Sequence, residues 1–346
     1  MAPGLWLLVI ALACLPVIGW AWRRTAEARE ARRPPLGEYV DVGGRRLHVV
    51  RRGEGGPAVV IESGAGIPSD TWWPIQDRLA TMTTVVTYDR AGLGCSDRAP
   101  LPRTLADRAG DLESMLNGIG LEPPYVLVGW SYGGPLIRLF AHRHPDQVAG
   151  LVFVDSGHEA VFSTPGAQAY LRRMARLLRV IGGLAQIGLL RLARVHGMPE
   201  PSTALPRSPE HRRARDSRLV TAHSFRAGAD DFSSMRATAT DMTGLGTPGL
   251  LGNTPVAVLS HGKRFPGPFA VLETNHQEAM QALAALSANS VLTVAENSSH
   301  GLPLEDPEVV IDAIRAVCHA ARTGVPLRDA PAQANDTDAS EVPASD

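Results

Sequence analysis

Apolar positions along the chain follow two alternating rhythms. Tyr39–Val42 and Arg45–Arg52 alternate on either side of Gly43-Gly44 and predict a β-hairpin. Ala58–Glu62, Thr84–Asp89, Tyr125–Val128, Val148–Asp155, Pro255–Ser260 and Ser290–Ala295 are short, nearly continuous apolar runs, the pattern of strands buried on both faces. Between them, Thr71–Thr81, Leu105–Ile119, Pro135–Ala141, Thr274–Ala288 and Pro307–Ala321 carry apolar residues at helical spacing. This alternation predicts an α/β fold: a mostly parallel eight-stranded sheet with helices on both faces. From Gly157 to Gly252 the rhythm is helical only, which predicts a helical lid, residues 157–252, inserted after the sixth strand. From about Thr323 to Asp346 the chain is rich in Pro, Ala and Asp, lacks apolar periodicity, and is expected to be a disordered tail.

Leu5–Trp22 is almost wholly apolar and is followed at once by Arg23 and Arg24. A helix of about 20 such residues spans a bilayer. No basic residue precedes the run and Gly19-Trp20-Ala21 is a poor cleavage site, so residues 1–24 are expected to be an uncleaved anchor rather than a signal peptide, with 25–37 as linker. The trailing arginines would hold the body of the chain on the cytoplasmic side; a cleaved segment would make the protein secreted or periplasmic. Leu171–Val195, basic and amphipathic, is expected to touch the membrane surface beside that anchor.

The 346 residues are 44% hydrophobic with a formal net charge of −1, enough for one large core and no support for nucleic-acid binding. Cys14, Cys95 and Cys318 show neither zinc-ligand spacing nor a disulfide framework. Glycine-rich stretches lack the lysine of a phosphate loop and the third glycine of a dinucleotide fingerprint.

Chemistry concentrates elsewhere. Gly129-Trp130-Ser131-Tyr132-Gly133 sits between a β-branched run and an amphipathic one, so Ser131 occupies a strand-to-helix turn that exposes its hydroxyl. A serine needs a base and the base an orienting acid. His300, in Ser298-Ser299-His300-Gly301 after the last strand, stands where the base belongs. The loop after Pro255–Ser260 has no carboxylate, whereas Asp155 ends an apolar strand beside that of Ser131; Asp155 is assigned as the acid, with Glu273 and Asp306 as alternates. Backbone N–H groups of Ala65, in Ser63-Gly64-Ala65-Gly66, and of Tyr132 are candidate oxyanion donors. Trp72 and Trp130, with the apolar lid, suggest an apolar substrate.

The chain resembles the α/β-hydrolase fold superfamily over residues 38–322, on Ser63-Gly64-Ala65-Gly66, Asp89-Arg90-Ala91-Gly92-Leu93-Gly94-Cys95-Ser96, the turn around Ser131, and Ser299-His300-Gly301. The resemblance implies a serine hydrolase acting on a small-molecule carboxylic ester or related acyl bond, without metal or organic cofactor. Some members carry the acid after the sixth strand, as Asp155 would. Peptidase, amidase or acyltransferase chemistry on the same triad, a cofactor-free perhydrolase or lyase, and a non-catalytic ligand-binding pseudo-hydrolase are the alternatives. Serine rather than aspartate at residue 131 argues against dehalogenase and epoxide chemistry. Oligomeric state is not legible from the chain.

Overall fold

The computed structural model describes residues 36–187, 204–212, 222–242 and 244–329, together with Cys14, residues 17–21 and residues 24–25. The hairpin strands β1 (Glu38–Asp41) and β2 (Arg46–Arg52) pair antiparallel, and β2 meets β4 (Val85–Tyr88) antiparallel. The remaining strands, β3 (Ala58–Glu62), β5 (Tyr125–Trp130), β6 (Val148–Val154), β7 (Val256–His261) and β8 (Ser290–Ala295), run parallel to β4. The eight strands form one sheet in the order β1-β2-β4-β3-β5-β6-β7-β8.

Successive strand residues point to opposite faces, and each face of this sheet is covered. Val60, Leu127, Leu151, Phe153 and Val258 pack on α2 (Leu105–Gly118), α3 (Gly133–Arg143) and α8 (His276–Ala284). Val59, Ile61, Val126, Val128, Val152, Val154 and Leu259 pack on α1 (Trp73–Leu79), the short α9 (Leu302–Glu305) and α10 (Pro307–Thr323). Apolar residues on both faces of each central strand explain why those strands read as continuous apolar runs. Helix starts are locally encoded too: Thr104 Oγ1 accepts the Asp107 N–H at 3.1 Å and Asp107 Oδ2 accepts the Thr104 N–H at 2.8 Å, a reciprocal cap on α2.

Between β6 and β7 the described elements are all helices: α4 (Glu159–Phe162), α5 (Pro165–Gln186), α6 (Ala222–Met235) and α7 (Thr238–Asp241). α5 lies against α6, and Gly228 of α6 approaches the loop after β3 so closely that a Cβ on either Gly66 or Gly228 would stand 3.1 Å from the other's Cα.

From β3 the chain crosses to one side to build β4, then to the other to build β5. The carboxyl ends of β3 and β5 therefore flank the point where the winding reverses, which in open parallel sheets is where ligands bind.

The N-terminal expectation needs correction. No helix among the described residues is long and apolar enough to cross a membrane. Of the run 5–22, Cys14 and residues 17–21 are described and are helical; the rest, like most of the linker, lies outside the described residues. The membrane-anchored localisation and the membrane partner are withdrawn on that finding. Leu171–Gln186 belongs to α5 and lies against α6; the remainder, 188–195, falls outside the described residues. At the other end, order extends beyond Thr323. Leu327 is buried, its N–H donating to Asn289 Oδ1 at 2.8 Å, and the chain is helical over Leu327–Asp329; residues 330–346 lie outside the described residues.

Candidate active site

Ser131 follows β5 directly with φ +52°, a left-handed backbone that costs a non-glycine residue about 1–3 kcal/mol. Neighbouring backbone groups hold it there. The Ser131 N–H donates to Val154 O at 3.2 Å, and Ser131 O accepts the Gly157 N–H at 2.7 Å and the Gly134 N–H at 3.1 Å. The two flanking glycines are steric requirements: a Cβ on Gly129 would stand 2.8 Å from the Gly133 backbone, and one on Gly133 would stand 2.4 Å from Glu62 O. Gly133→Ala is accordingly expected to destabilise the fold by about 1–3 kcal/mol through overpacking, read as a lower urea midpoint; an unchanged midpoint would show that β3 can retreat from α3.

A cavity of about 380 Å³ opens beside this turn. Ser131, Asp155 and His300 all line it, with Gly64, Ala65 and Trp130. The rest of the wall is almost entirely apolar, from Val161, Phe162, Leu171, Phe232 and Met235 of the helical insert to Phe265, Phe269 and Leu272 after β7, with Tyr170 among them.

Asp155 ends β6 at φ +43°, and its side chain is 1% exposed. Its Oδ2 lies 2.5 Å from His300 Nδ1. Burial alone would push this carboxyl up, but hydrogen bonds from His261, His276 and His300 and the charge of His300 hold it well below the usual carboxylate range. His300 lies in the loop after β8, a third exposed. Its carbonyl accepts the Trp130 indole N–H at 2.9 Å, and its ring stands 5.8 Å from that of Trp130.

The loop after β3 is held from beneath by a buried charge network. Arg90 donates to Ser63 O at 2.6 Å, to Gly64 O at 2.7 Å, to Asp231 Oδ2 at 2.8 Å, and to the Glu62 carboxylate. Asp231, on α6, accepts the Gly66 N–H at 2.9 Å and the Arg108 Nη2 donor at 2.9 Å. Burial opposes ionisation of Asp231, yet Arg90 and Arg108 hold it below its ordinary range. The carbonyls of Ser63 and Gly64 turn to Arg90 and the Gly66 N–H turns to Asp231, while Gly64, Ala65 and Ile67 line the cavity. The Tyr132 side chain points the other way, into the core: its hydroxyl donates to Ser234 Oγ at 2.8 Å, its ring sits beneath Arg90 and Arg108, and burial pushes its phenol up to about 12.

Not every sequence candidate comes to the cavity. Trp72 is fully buried in the core with Ile61 and Ile75 and meets only the edge of Trp130, at 6.2 Å, so it is a packing residue behind the wall rather than a substrate contact. Glu273 reaches His261 Nε2, at 3.1 Å, rather than His300. Asp306 starts α10 and accepts from Ser298 Oγ at 3.3 Å. None of Cys14, Cys95 and Cys318 is in a disulfide.

Sequence reasoning missed His261, His276, Arg90, Arg108 and Asp231. Arg90 stands within the Asp89–Ser96 motif, and the adjacent acids Asp230-Asp231 on a helix face of small and apolar residues were the signal for its partner. Asp155, His261 and His276 bring ligand-type atoms within 4.8 Å of one another, but His261 Nδ1 is 2.7 Å from Asp155 Oδ2.

A family model described as "Alpha/beta hydrolase family" matches residues 59–313. An uncharacterized Bacillus subtilis protein, YqjL, is 27% identical over 282 residues, covering 81% of this chain and 91% of that protein. Among solved structures, a thermophilic esterase from Thermogutta terrifontis superposes with a TM-score of 0.60 at 25% identity, covering 83% of this chain and 99% of that one. The enol-lactonase of Burkholderia xenovorans LB400 superposes with a TM-score of 0.59 at 20% identity, covering 81% and 99%; that second likeness is one of fold.

Proposed function

Because the chain belongs to the alpha/beta hydrolase family, we propose that it is a serine hydrolase cleaving uncharged carboxylic esters through an acyl-enzyme on Ser131. The observation that carries this is the Asp155–His300 hydrogen bond in the same cavity as a strained serine at a strand-to-helix turn. Asp155 commits His300 Nδ1 as a donor, which leaves Nε2 as the nitrogen that takes the Ser131 proton. Ser131 Oγ then attacks the ester carbonyl. The resulting oxyanion is held by the Ala65 and Tyr132 N–H groups, aided by the N-terminus of α3. His300 returns the proton to the leaving alcohol, the C–O bond breaks, and water repeats the sequence on the acyl-enzyme to release the acid. No step calls for a cofactor. The apolar wall supports an apolar acyl or alcohol group, since an ionic one would be desolvated there without a partner. Serine rather than aspartate at residue 131 argues against epoxide hydrolysis.

A fluorophosphonate probe is expected to label the protein once, at Ser131, with labelling lost in Ser131→Ala and strongly reduced in His300→Ala. p-Nitrophenyl esters of increasing acyl length are expected to be turned over with KM falling as the chain fills the cavity. A folded protein that takes no label would move the reading to a ligand-binding role.

A further inference from the structure

We propose that His261 is a positioning residue, held as an imidazolium between the Asp155 and Glu273 carboxylates, that fixes Asp155 for His300 and ties one wall of the cavity to it. This rests on the acyl-transfer reading of Ser131, His300 and Asp155.

The hydrogen-bond inventory leads there. His261 Nδ1 lies 2.8 Å from Asp155 Oδ1 and 2.7 Å from Oδ2, and the His261 backbone N–H donates to Oδ1 at 3.0 Å. On the opposite edge of the ring, Nε2 lies 3.1 Å from Glu273 Oε1. That oxygen also accepts the Phe265 N–H, at 2.5 Å, which suits an ionised carboxylate. A ring with a carboxylate on each nitrogen donates from both, and so carries both protons. The other groups facing it are His276 of α8, whose ring is 4.2 Å away, and His300, which shares Asp155 from the loop after β8. Lys263 and Arg264, on its own loop, are exposed. Burial works against the charge, but the hydrogen bond and field of Asp155, then those of Glu273, outweigh it and raise the His261 pKa above its ordinary value.

The consequences follow from the two bonds. Nδ1–H meets both Asp155 oxygens, which fixes the carboxylate plane with Oδ2 toward His300. Nε2–H holds Glu273, which in turn holds Phe265, and Phe265 and Leu272 line the cavity. A raised pKa keeps this link complete at and below the ordinary histidine range and loses it as the pH rises through the folded-state value. Deprotonation then leaves a lone pair on Nε2 against Glu273, and the wall comes loose.

Nitrogen-15 NMR of the histidine-labelled full chain tests the charge directly. One ring is expected to carry protons on both nitrogens at neutral pH and to vanish in His261→Gln. Glu273→Gln keeps an acceptor but removes the charge. The alkaline limb of its kcat/KM on a p-nitrophenyl ester, where His261 deprotonates as the pH rises, is expected to lie at lower pH than in wild type, with up to about tenfold less activity between the two limbs, because one of the carboxylates that raise the His261 titration is gone. His261→Gln, with nothing to titrate, is expected to lose that alkaline limb. A singly protonated His261 ring, or a Glu273→Gln profile parallel to wild type, would overturn the proposal. Wild-type protein whose Ser131 takes no fluorophosphonate would instead sink the acyl-transfer reading, and the NMR signal would still show whether His261 is charged.

Discussion

Asp155→Asn is expected to lower kcat on a p-nitrophenyl ester by about 10⁴-fold, the scale at which a triad loses its orienting anion. An amide can turn an N–H toward His300 Nδ1 and so select the tautomer that leaves no acceptor for the Ser131 proton. It also meets His261, whose Nδ1 and backbone N–H both address the same carboxylate. The variant is therefore expected to lose stability as well as rate. The pH dependence has a definite sign: the Asp155 carboxyl is held well below its ordinary range, so its contribution is complete above that range and is lost as the pH falls through the depressed folded-state value. Steady-state kinetics alongside urea unfolding at neutral and acid pH separate the two losses. A near-wild-type rate would remove Asp155 from the acid role and pass it to Glu273, one imidazole away.

Asp231→Ala is expected to be the most destabilising substitution outside the apolar core, by about 3–5 kcal/mol, the range for removing one member of a buried ion network. Arg90 and Arg108 are each about 6% exposed, and both depend on Asp231. Truncation leaves Arg90 with Glu62 and Arg108 with Asp230 as their remaining carboxylates, leaves the Gly66 N–H without its acceptor, and loosens α6 from the loop that carries Ala65. On the proposed function, turnover should fall beyond what the unfolded fraction explains, because the donor loop loses its fixed geometry. Asp231→Asn, which keeps an acceptor for Gly66, is expected to retain more of the rate than of the stability. Equal urea midpoints for wild type and Asp231→Ala would show that the arginines find other partners.

Much of this was legible from local pattern. The strands that sit in the middle of the sheet are apolar on both faces, so their runs stand out in the chain, and the turns at Ser131 and after β3 announce themselves through glycines that close backbone approach demands. Asp155 could be singled out because a carboxylate ending a buried strand has few other reasons to be there. Trp72 could not be told from Trp130 in the same way. Both are aromatic and near the site in sequence, but one faces the core and the other the cavity, and only the direction of the side chain separates them. The apolar run at the N-terminus illustrates the opposite hazard: hydropathy alone suggested a span, and no helix among the described residues is long and apolar enough to cross a membrane.

By itself, then, the sequence determined the order of strands and helices, the position of the strand-to-helix turn at Ser131 and the histidine after the last strand, because each depends on residues close together in the chain. The tertiary structure decided what depends on distant residues meeting: Asp155 reaching His300 across 145 positions, Arg90 meeting Asp231 across 141, and His261 lying between two carboxylates. Buried charges are tolerated only where a partner neutralises them. No local pattern names that partner, since the sheet's crossover connections choose it.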